Sequence, residues 1–470
     1  MRKSNKVHLV GMLGTGVRGL VPILRANKVE VSGSDSSGGS LPEEFNTLGV
    51  NFYSEHHAAN LSPDVDFVVH TAAVGSDNAE LREARRLGIP VKKYAEFLGE
   101  LMAQGRGIAI SGTHGKTTTS SMTSWILHKA GKDPTYLIGG EIPGLGSSRQ
   151  GKGRDFVVEA CEFGHSFLNL HPTAAVVTNV EAEHLDYFKS LDEIAAAFGD
   201  FVNRLPLDGL LVLNADDPGA MSLGAATPCR NIQTFSLDST DGDWQASQLR
   251  SRGLESHFIL RGPGGIRQQV RLPVPGRHNV KNALAAAALC SWAGVPPGRI
   301  SMALASFPGV HRRFEILARS PVTVIDDYAH HPTEVKALLA AARDADFPGR
   351  VIGVFQPHQY SRLRKMLDEF AGALTGFDEV LVTRPYQARD SQEDCEAVNS
   401  GMLSGAIAAL GGEVYDTPSS AEVRARLDET AREGDAVIFM GAGSITVQAN
   451  NYAGKSWGIE IIPMVAKMGS

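Results

Sequence analysis

Residues 106–131, RGIAISGTHGKTTTSSMTSWILHKAG, limit the choice of fold more than any other stretch. Ile108, Ala109 and Ile110 make an apolar run of the kind that forms a buried parallel strand. A turn follows, Ser111, Gly112, Thr113, His114 and Gly115, and then Lys116, Thr117 and Thr118. Beyond them Met122, Trp125, Ile126 and Ala130 fall on one helical face, and Gly131 stands where a helix C-terminal glycine belongs. Strand, glycine-rich turn, Lys-Thr and helix in this order predict a phosphate-binding loop. Glycines let backbone N–H groups curl around phosphate oxygens, and the helix N-terminus adds partial positive charge. The lysine neutralises the β/γ phosphates, and the first threonine hydroxyl can hold Mg2+. The general pattern has glycine five positions before Gly115, where this chain has Ile110 and so a shorter loop, G-T-H-G-K-T. A plain polar turn is the competing reading. The strand before the loop and the helix after it favour nucleotide binding.

At 470 residues the chain has room for about three domains of ordinary size. Its 50 glycines suit an α/β enzyme with many tight strand–helix turns. A net charge of −7 offers nothing to nucleic acid or an anionic membrane, so any anionic ligand must be gripped locally. Four cysteines, 161, 229, 290 and 395, stand far apart without CxxC spacing, as reduced cytosolic thiols do. The N-terminus has a basic start, but glycines and Arg18 break its apolar run and no A-x-A site follows, which argues against a signal peptide. The most apolar segment, residues 283–294, is too short to span a bilayer. A cytoplasmic protein is expected.

Along the chain, residues 7–10 read as a strand, and Gly14, Gly16 and Gly19 then match G-x-G-x-x-G. A second strand, 29–31, leads to Ser34 and Asp35, an acidic residue at about the spacing of a dinucleotide fingerprint. A dehydrogenase is therefore a rival, as is a turn that merely packs tightly. Strand 67–70 runs into Thr71, Ala72 and Ala73, residues 81–87 look helical, and this domain closes near Ala103. Strands 156–158 and 174–177 end in Glu159 and in TNVEAEHLD at 178–186. In a parallel sheet these ends share one edge with the phosphate loop, so Glu159 and His184 would converge on Mg2+. Helix capping is the alternative for each, and Mg2+ prefers oxygen to His184. Strand 210–213 precedes the turn NADDP at 214–218, and residues 235–275 alternate as a small antiparallel insertion. Asn279 and Asn282, one helical turn apart, could read an adenine edge, or Asn279 could simply cap the helix. Strands at 322–325, 351–355, 380–382 and 436–440 alternate with helices, a second doubly wound unit. Its His and Arg residues collect at strand ends, in DDYAHHP (326–332) and QPHQYSR (356–362), the place for an amino-acid carboxylate or a phosphoryl group.

Taken together, GTHGKTTT (112–119), TNVEAEHLDY (178–187), NADDP (214–218), PGRHNVKNALAA (275–286) and DDYAHHPTE (326–334) resemble the Mur ligases, the ATP-dependent amide-bond enzymes of peptidoglycan synthesis. EACEFGHSFLNLHP (159–172) and FQPHQYSR (355–362) are most similar to members that add L-alanine to UDP-N-acetylmuramate. The resemblance implies three domains: 1–103 for the UDP-sugar, 104–316 for ATP and 317–470 for the amino acid. It implies that Gly14, Thr15, Gly16, Ser34, Asp35 and Thr71 hold the UDP substrate rather than NAD. Gly112, Thr113, His114, Gly115, Lys116, Thr117 and Thr118 would bind ATP, with Asn279, Asn282, Arg313 and Asp327. Thr117 and Glu159 would hold one Mg2+ and His184 a second. His331, His358, Gln359 and Arg362 would lie near the alanine, the catalytic set being Lys116, His184, Arg313, His331 and Arg362.

The implied reaction activates the lactyl carboxylate as an acyl phosphate, which the alanine amine attacks. It implies a closing domain motion, a monomer or homodimer, and no nucleic-acid or membrane partner. The chain also departs from the family. Gln359 stands where arginine is usual, Glu183 replaces an aspartate, Ser444 replaces an acid, and residues 144–151 lack the usual Asn-Ala. Another amino acid, or a ligase recycling murein tripeptide, therefore stays open, with a dehydrogenase or a switch ATPase outside the class.

Overall fold

The computed structural model describes residues 6–39, 45, 47–183 and 187–455. The chain divides into two compact units, residues 1–141, 145–244 and 284–303 in one, and 142–144, 245–283 and 304–470 in the other. The class is α/β with three sheets, as expected. The boundary expected at residues 103/104 falls inside the first unit.

In the first unit β1 (Lys6–Val10), β2 (Glu30–Ser34), β3 (Asn51–Tyr53), β4 (Phe67–His70) and β5 (Val91–Lys93) run parallel in the order β3-β2-β1-β4-β5. Helices α1 (Thr15–Ala26), α2 (Ala79–Leu87) and α3 (Tyr94–Met102) alternate with them. The order reverses between β1 and β4, which opens a crevice at their carboxyl ends. The glycine loop after β1 and Thr71 after β4 both sit there.

The same unit holds a second sheet of β6 (Arg106–Ser111), β7 (Thr135–Ile142), β8 (Gly146–Arg149), β9 (Asp155–Glu159), β10 (Ala174–Val177), β11 (Leu210–Asn214) and β12 (Ile232–Ser236). These follow the order β12-β11-β10-β6-β9-β7-β8, parallel from β12 to β7. Buried parallel strands need apolar residues on both faces, and β10 and β11 supply them as the runs AAVV and LLVL. With them come α4 (Lys116–Lys129), α5 (Leu191–Val202) and α6 (Pro218–Ser222). The one-sided apolar face expected for α4 is not what is found: residues 117–127 are all buried. Two of its buried hydroxyls bond backward, Ser120 to the Thr117 carbonyl at 3.0 Å and Thr123 to that of Thr119 at 2.8 Å. Gly131 ends the helix with φ +75°, as read from the sequence.

One apolar core joins both sheets of this unit, running from Leu9 and Leu20 through Phe97 and Leu137 to Phe167, Phe198 and Phe201. Phe167 and Phe201 stack with centroids 4.8 Å apart.

The second unit carries an antiparallel meander of β13 (Trp244–Arg252), β14 (Glu255–Gly262) and β15 (Ile266–Leu272), the insertion expected from the alternation. Helices α7 (Arg277–Trp292) and α8 (Pro297–Ala305) fall mostly in the first unit, and the second continues with β16 (Glu315–Ala318), β17 (Thr323–Asp327), β18 (Val351–Phe355), β19 (Glu379–Val382), β20 (Val414–Asp416) and β21 (Ala436–Met440). Their order is β16-β17-β21-β18-β19-β20, parallel except for β16. Helices α9 (Pro332–Asp344), α10 (Tyr360–Lys365), α11 (Leu367–Leu374), α12 (Gln392–Ala397), α13 (Ser400–Ala409), α14 (Ser420–Thr430) and α15 (Ile445–Lys455) complete it. Period-two alternation splits its core: Ile325 and Phe355 pack with Leu338 and Phe370, and Val324 and Val354 pack with Phe439 and Tyr452. At the amino end of β19 the fully buried Glu379 is held by Arg350 and Arg426 at 3.1 and 2.8 Å.

Gly99 in α3 shows how closely the first unit is packed. A methyl group there would lie 2.0 Å from the Asn169 carbonyl oxygen. Helix propensity favours alanine over glycine by about 1 kcal/mol, but a backbone atom cannot yield 1 Å cheaply. Gly99→Ala is expected to lower the melting temperature, and an unchanged or raised value in a thermal scan would contradict this packing.

Candidate active site

The phosphate loop leaves β6 at Ser111 and enters α4 at Lys116. Gly112 has φ +128° and Gly115 φ +82°, conformations that glycine alone adopts easily. A methyl group at Gly112 would lie 2.0 Å from Thr178 Oγ1. The segment after β10 laces this loop in place. Thr178 Oγ1 donates to the His114 carbonyl at 2.6 Å, and Asn179 Oδ1 accepts from His114 N at 2.8 Å. Thr113 N donates to the Asn179 carbonyl at 3.0 Å, and Thr113 Oγ1 accepts from Glu181 N at 2.9 Å. Asn214, from the NADDP turn, holds the Thr178 carbonyl at 2.8 Å. The curled loop suits an anionic phosphate chain.

Lys116 Nζ points back over the loop. It donates to the Gly112 and Thr113 carbonyls at 2.5 and 2.9 Å and to both oxygens of Glu162 at 3.1 Å. Burial works against its charge, but the carboxylate of Glu162, with Glu159 nearby, more than offsets this and holds the amine well above its ordinary range. Lys116 is a fixed cation.

At the second residue of α4, Thr117 Oγ1 donates to Glu159 at 3.0 and 3.3 Å, and Gly139 N donates to the same carboxylate at 2.8 Å. A methyl group at Gly139 would reach within 2.4 Å of Glu159 Oε2. Among the described residues the hydrogen-bond donors to Glu159 are a hydroxyl and a backbone amide, both neutral. A hydroxyl and a carboxylate side by side at the loop are the hard oxygen donors that Mg2+ selects, so the residues fit that ion. His184 lies outside the described residues. Thr118 is buried in the first turn of α4.

Around the first glycine loop, Gly11 has φ +77°, and a methyl group on it would meet Thr71 Cγ2 at 2.3 Å. Gly14 caps α1, and Thr15 and Gly16 open it. Asp35 accepts from Leu13 N at 2.8 Å and Ser37 N at 2.9 Å. Burial raises its pKa, yet the hydrogen bonds from Ser37 and the Leu13 amide outweigh it and keep Asp35 below the usual carboxylate range. Asp35 therefore pins the loop. Gly14, Thr15, Gly16, Asp35 and Thr71 are brought together at the crevice, whereas Ser34 is fully buried and gives its hydroxyl to Glu80, with His56 Nδ1 at 2.8 Å. A cavity of about 430 Å³ opens beside them, lined by His70, Arg85, Lys93, Tyr94, Ser166 and Asn169 among others.

In the second unit, Asn279 and Asn282 turn to each other at 3.3 Å, and Asn279 Nδ2 also holds the Pro275 carbonyl at 2.7 Å. Asp327 accepts from Phe314 N at 2.7 Å and Ala329 N at 2.8 Å, which fixes the 312–314 turn where Arg312 and Phe314 have φ +60° and +49°. Burial pushes Asp327 up to about 6, against the pull of Arg313 and those amides. The guanidinium groups of Arg312 and Arg313 lie 4.8 and 5.0 Å from the Tyr328 ring. His278 is brought down to about 4 by burial and then by Arg313.

At the other strand ends, His331 caps α9, its Nδ1 accepting from Thr333 N at 3.3 Å. His358 stacks on Tyr386 with centroids 5.5 Å apart, and Arg362 donates to its carbonyl at 3.2 Å. Burial, then His330 and Arg362, lowers His358 to about 4. Gln359 caps α10 at φ +71°, a strained value for a side-chain-bearing residue, and is 4% exposed. Gln359 thus stands at a helix start without facing solvent. Ser444 receives a hydrogen bond from Gln356 at 3.3 Å, while Gln356 Oε1 accepts from Ile445 N at 3.0 Å.

Fold and loop together define a nucleotide-binding α/β protein built on a phosphate loop. Residues 6–106 match the Mur ligase family catalytic domain, 110–290 the Mur ligase middle domain and 312–443 the Mur ligase glutamate ligase domain. The UDP-N-acetylmuramate–L-alanine ligase of Acetivibrio thermocellus is 41% identical over 94% of this chain and 94% of its own. That of Rubrobacter xylanophilus is 42% identical over 94% of this chain and 98% of its own. The chain belongs to the Mur ligase family. The crystal structure of UDP-N-acetylmuramate-alanine ligase from Thermotoga maritima superposes with a TM-score of 0.81 at 29% identity, covering 96% of this chain and 99% of that one. A murein peptide ligase from Psychrobacter arcticus gives 0.72 at 26% identity, covering 95% and 99%.

Several residues of these sites escape a sequence reading. Glu162 carries a visible signal, a second carboxylate in EACE three residues past Glu159. Thr178 and Asn179 have only their place after a strand as a signal. Glu80, fully buried, has none: it gathers Ser34, Asn60 at 2.7 Å and His56 at 3.3 Å around one carboxylate. Burial opposes its ionisation, yet His8 at 3.6 Å and the hydrogen bonds from Ser34 and Asn60 lower its pKa from 4.5 to about 2. A depressed carboxylate lends stability that is complete above its unfolded value and lost as pH falls through the folded one. That stability, about 3 kcal/mol, should disappear between pH 4.5 and about 2. Glu80→Gln is expected to lower stability at pH 7 and to flatten this limb in urea titrations across pH. A limb of unchanged slope would remove Glu80 as its source.

Proposed function

We propose that this chain joins L-alanine to the lactyl carboxylate of UDP-N-acetylmuramate, using ATP, in the cytoplasmic stage of peptidoglycan synthesis. The observation that carries the reading is the Gly112–Thr117 loop, with Lys116 poised over it and Thr117 against Glu159, in a chain about 40% identical to alanine ligases over most of both lengths. A carboxylate oxygen attacks the γ-phosphorus, the bond to the β–γ bridging oxygen breaks, and ADP leaves. The alanine amine then attacks the acyl-phosphate carbonyl, loses a proton, and phosphate departs. Both steps crowd anions together, so fixed positive charge is the main requirement.

Lys116 is assigned to the β/γ phosphates, which would replace Glu162 as its partner. Mg2+, held by Thr117 and Glu159 with His184 at a second ion, would neutralise phosphate charge when bound. Gly112, Thr113, His114, Gly115 and Thr118 are assigned to the phosphate chain, and Asn279, Asn282, Arg313 and Asp327 to the rest of ATP. The loop at Gly14, Thr15 and Gly16, pinned by Asp35 beside Thr71, takes the uridine diphosphate, and His331, His358, Gln359 and Arg362 the amino acid. The domain limits 1–103, 104–316 and 317–470 follow the same reading. Phosphate release that requires ATP, UDP-N-acetylmuramate and an amino acid together, measured across a panel of amino acids, tests it. Release without the nucleotide sugar, or a preference other than L-alanine, would overturn it.

Lys116→Ala removes the fixed cation, and losing one such group typically costs about 10²-fold or more in rate. Turnover should fall at least that far while binding of the UDP-sugar, measured calorimetrically, stays near wild type. Near-normal turnover would exclude this loop as the catalytic one.

Gln359 offers neutral donors where Arg362 offers a charged fork. A neutral donor in place of a charged one weakens a hydrogen bond by roughly 1 kcal/mol, a several-fold effect. Gln359→Arg should lower the KM for L-alanine alone, and Arg362→Ala should raise it far more than Gln359→Ala does. No change in alanine KM on Gln359→Arg means that the substrate carboxylate is held elsewhere.

A further inference from the structure

Tyr94 opens α3 at the edge of the first glycine loop. Its ring stands against the first turn of α1: a methyl group added at Gly16 would lie 2.8 Å from Cζ and 3.0 Å from the hydroxyl oxygen. Gly16 therefore leaves room for the phenol in place of a side chain of its own. The opening amides of a helix have no acceptor within it, and the diphosphate is assigned to this turn. The same ring lines the cavity shared by His70, Arg85 and Lys93. Among the described residues the hydroxyl has no hydrogen-bond partner, although the ring packs against the apolar core. Burial, with Glu159 and Cys161 close by, pushes the phenol well above its ordinary range. It is a permanent neutral donor, lying against the nucleotide-sugar loop and within electrostatic reach of the carboxylate beside Thr117.

We infer that the Tyr94 hydroxyl donates a hydrogen bond to the diphosphate of the nucleotide-sugar substrate and so selects a charged diphosphate at this loop. This rests on the substrate reading above. A protonated phenol gives its proton to an anionic oxygen without carrying charge itself, so it adds grip where Asp35 and Glu159 already stand nearby. Phenylalanine would keep the ring against Gly16 and the core and lose only the donor.

The test compares the full-length protein with Tyr94→Phe, titrating UDP and UDP-N-acetylmuramate by calorimetry and measuring the KM for each substrate. Hydrogen bonds to charged groups are worth roughly tenfold or more in affinity. Both ligands should lose about that factor and the KM for the nucleotide sugar should rise in step, while the KM values for ATP and L-alanine and the melting temperature stay put. Unchanged affinity for UDP in the variant overturns the inference, as does a loss confined to UDP-N-acetylmuramate, because UDP already carries the diphosphate. A fall in melting temperature, or an equal rise in the KM for ATP, overturns it in favour of a packing role. If the wild-type protein does not bind UDP at all, the substrate reading fails instead.

Discussion

A buried cation needs oxygen around it, and the first unit is arranged to give Lys116 that shell. Two carbonyls of its own loop and both oxygens of Glu162 surround the amine at 2.5–3.1 Å. Removing the charge from water without partners would cost several kcal/mol. The loop can offer its carbonyls only because Gly112 and Gly115 take positive φ, and it keeps that shape because Thr178 and Asn179 bind it from the next strand. Those residues are in turn located by β10 and β11, whose register fixes Thr178 against Asn214. The parallel sheet thus sets the electrostatics of one side chain through three layers of hydrogen bonds.

Much of this could be read from the sequence, and the part that could could be read for a stated reason. Apolar runs gave strands at 174–177, 351–355 and 436–440 with their observed ends, because a buried parallel strand tolerates no polar interruption. The strands that the reading missed, such as β8 (GSSR) and β20 (VYD), are short and half-exposed and carry no such run. The helix face read for α4 was too narrow, since serine and threonine look polar until they bond to their own helix. Motif residues at strand ends were found because glycine, lysine and acidic groups are conspicuous there. Partners supplied by distant segments, Glu162 for Lys116 and Glu80 for Ser34, were not, because only the folded sheet brings positions 46 apart into contact.

In the second unit the same strand-end logic holds with a different distribution of charge. Asp327 closes β17 and orders the turn that carries Arg312 and Arg313, and Gln359 closes the start of α10 in a strained conformation. Strain at a buried, polar helix cap persists only where the surroundings enforce it, and here Gln359 N is tied to the Tyr386 carbonyl at 3.0 Å. Ser444, in a place where the family usually has an acid, is tied to Gln356. The two departures from the family pattern therefore sit on the same strand edge and are both neutral. Together they leave the positive charge of this edge uncompensated by an added carboxylate and unaugmented by an added arginine.

Two imidazoles of this edge add nothing to that charge near neutrality. His278 and His358, held to about 4, carry no proton there, and their burial in company with Arg313 and Arg362 is the reason. Arginine keeps its proton at any physiological pH. The guanidiniums of this edge are thus always charged, whereas His278 and His358 are neutral until the medium is strongly acidic. Asp327, raised to about 6, ionises above that value and then faces Arg313. Above about pH 6, where Asp327 is ionised, an anionic ligand at these strand ends meets Arg313 and Arg362 with no added charge from His278 or His358.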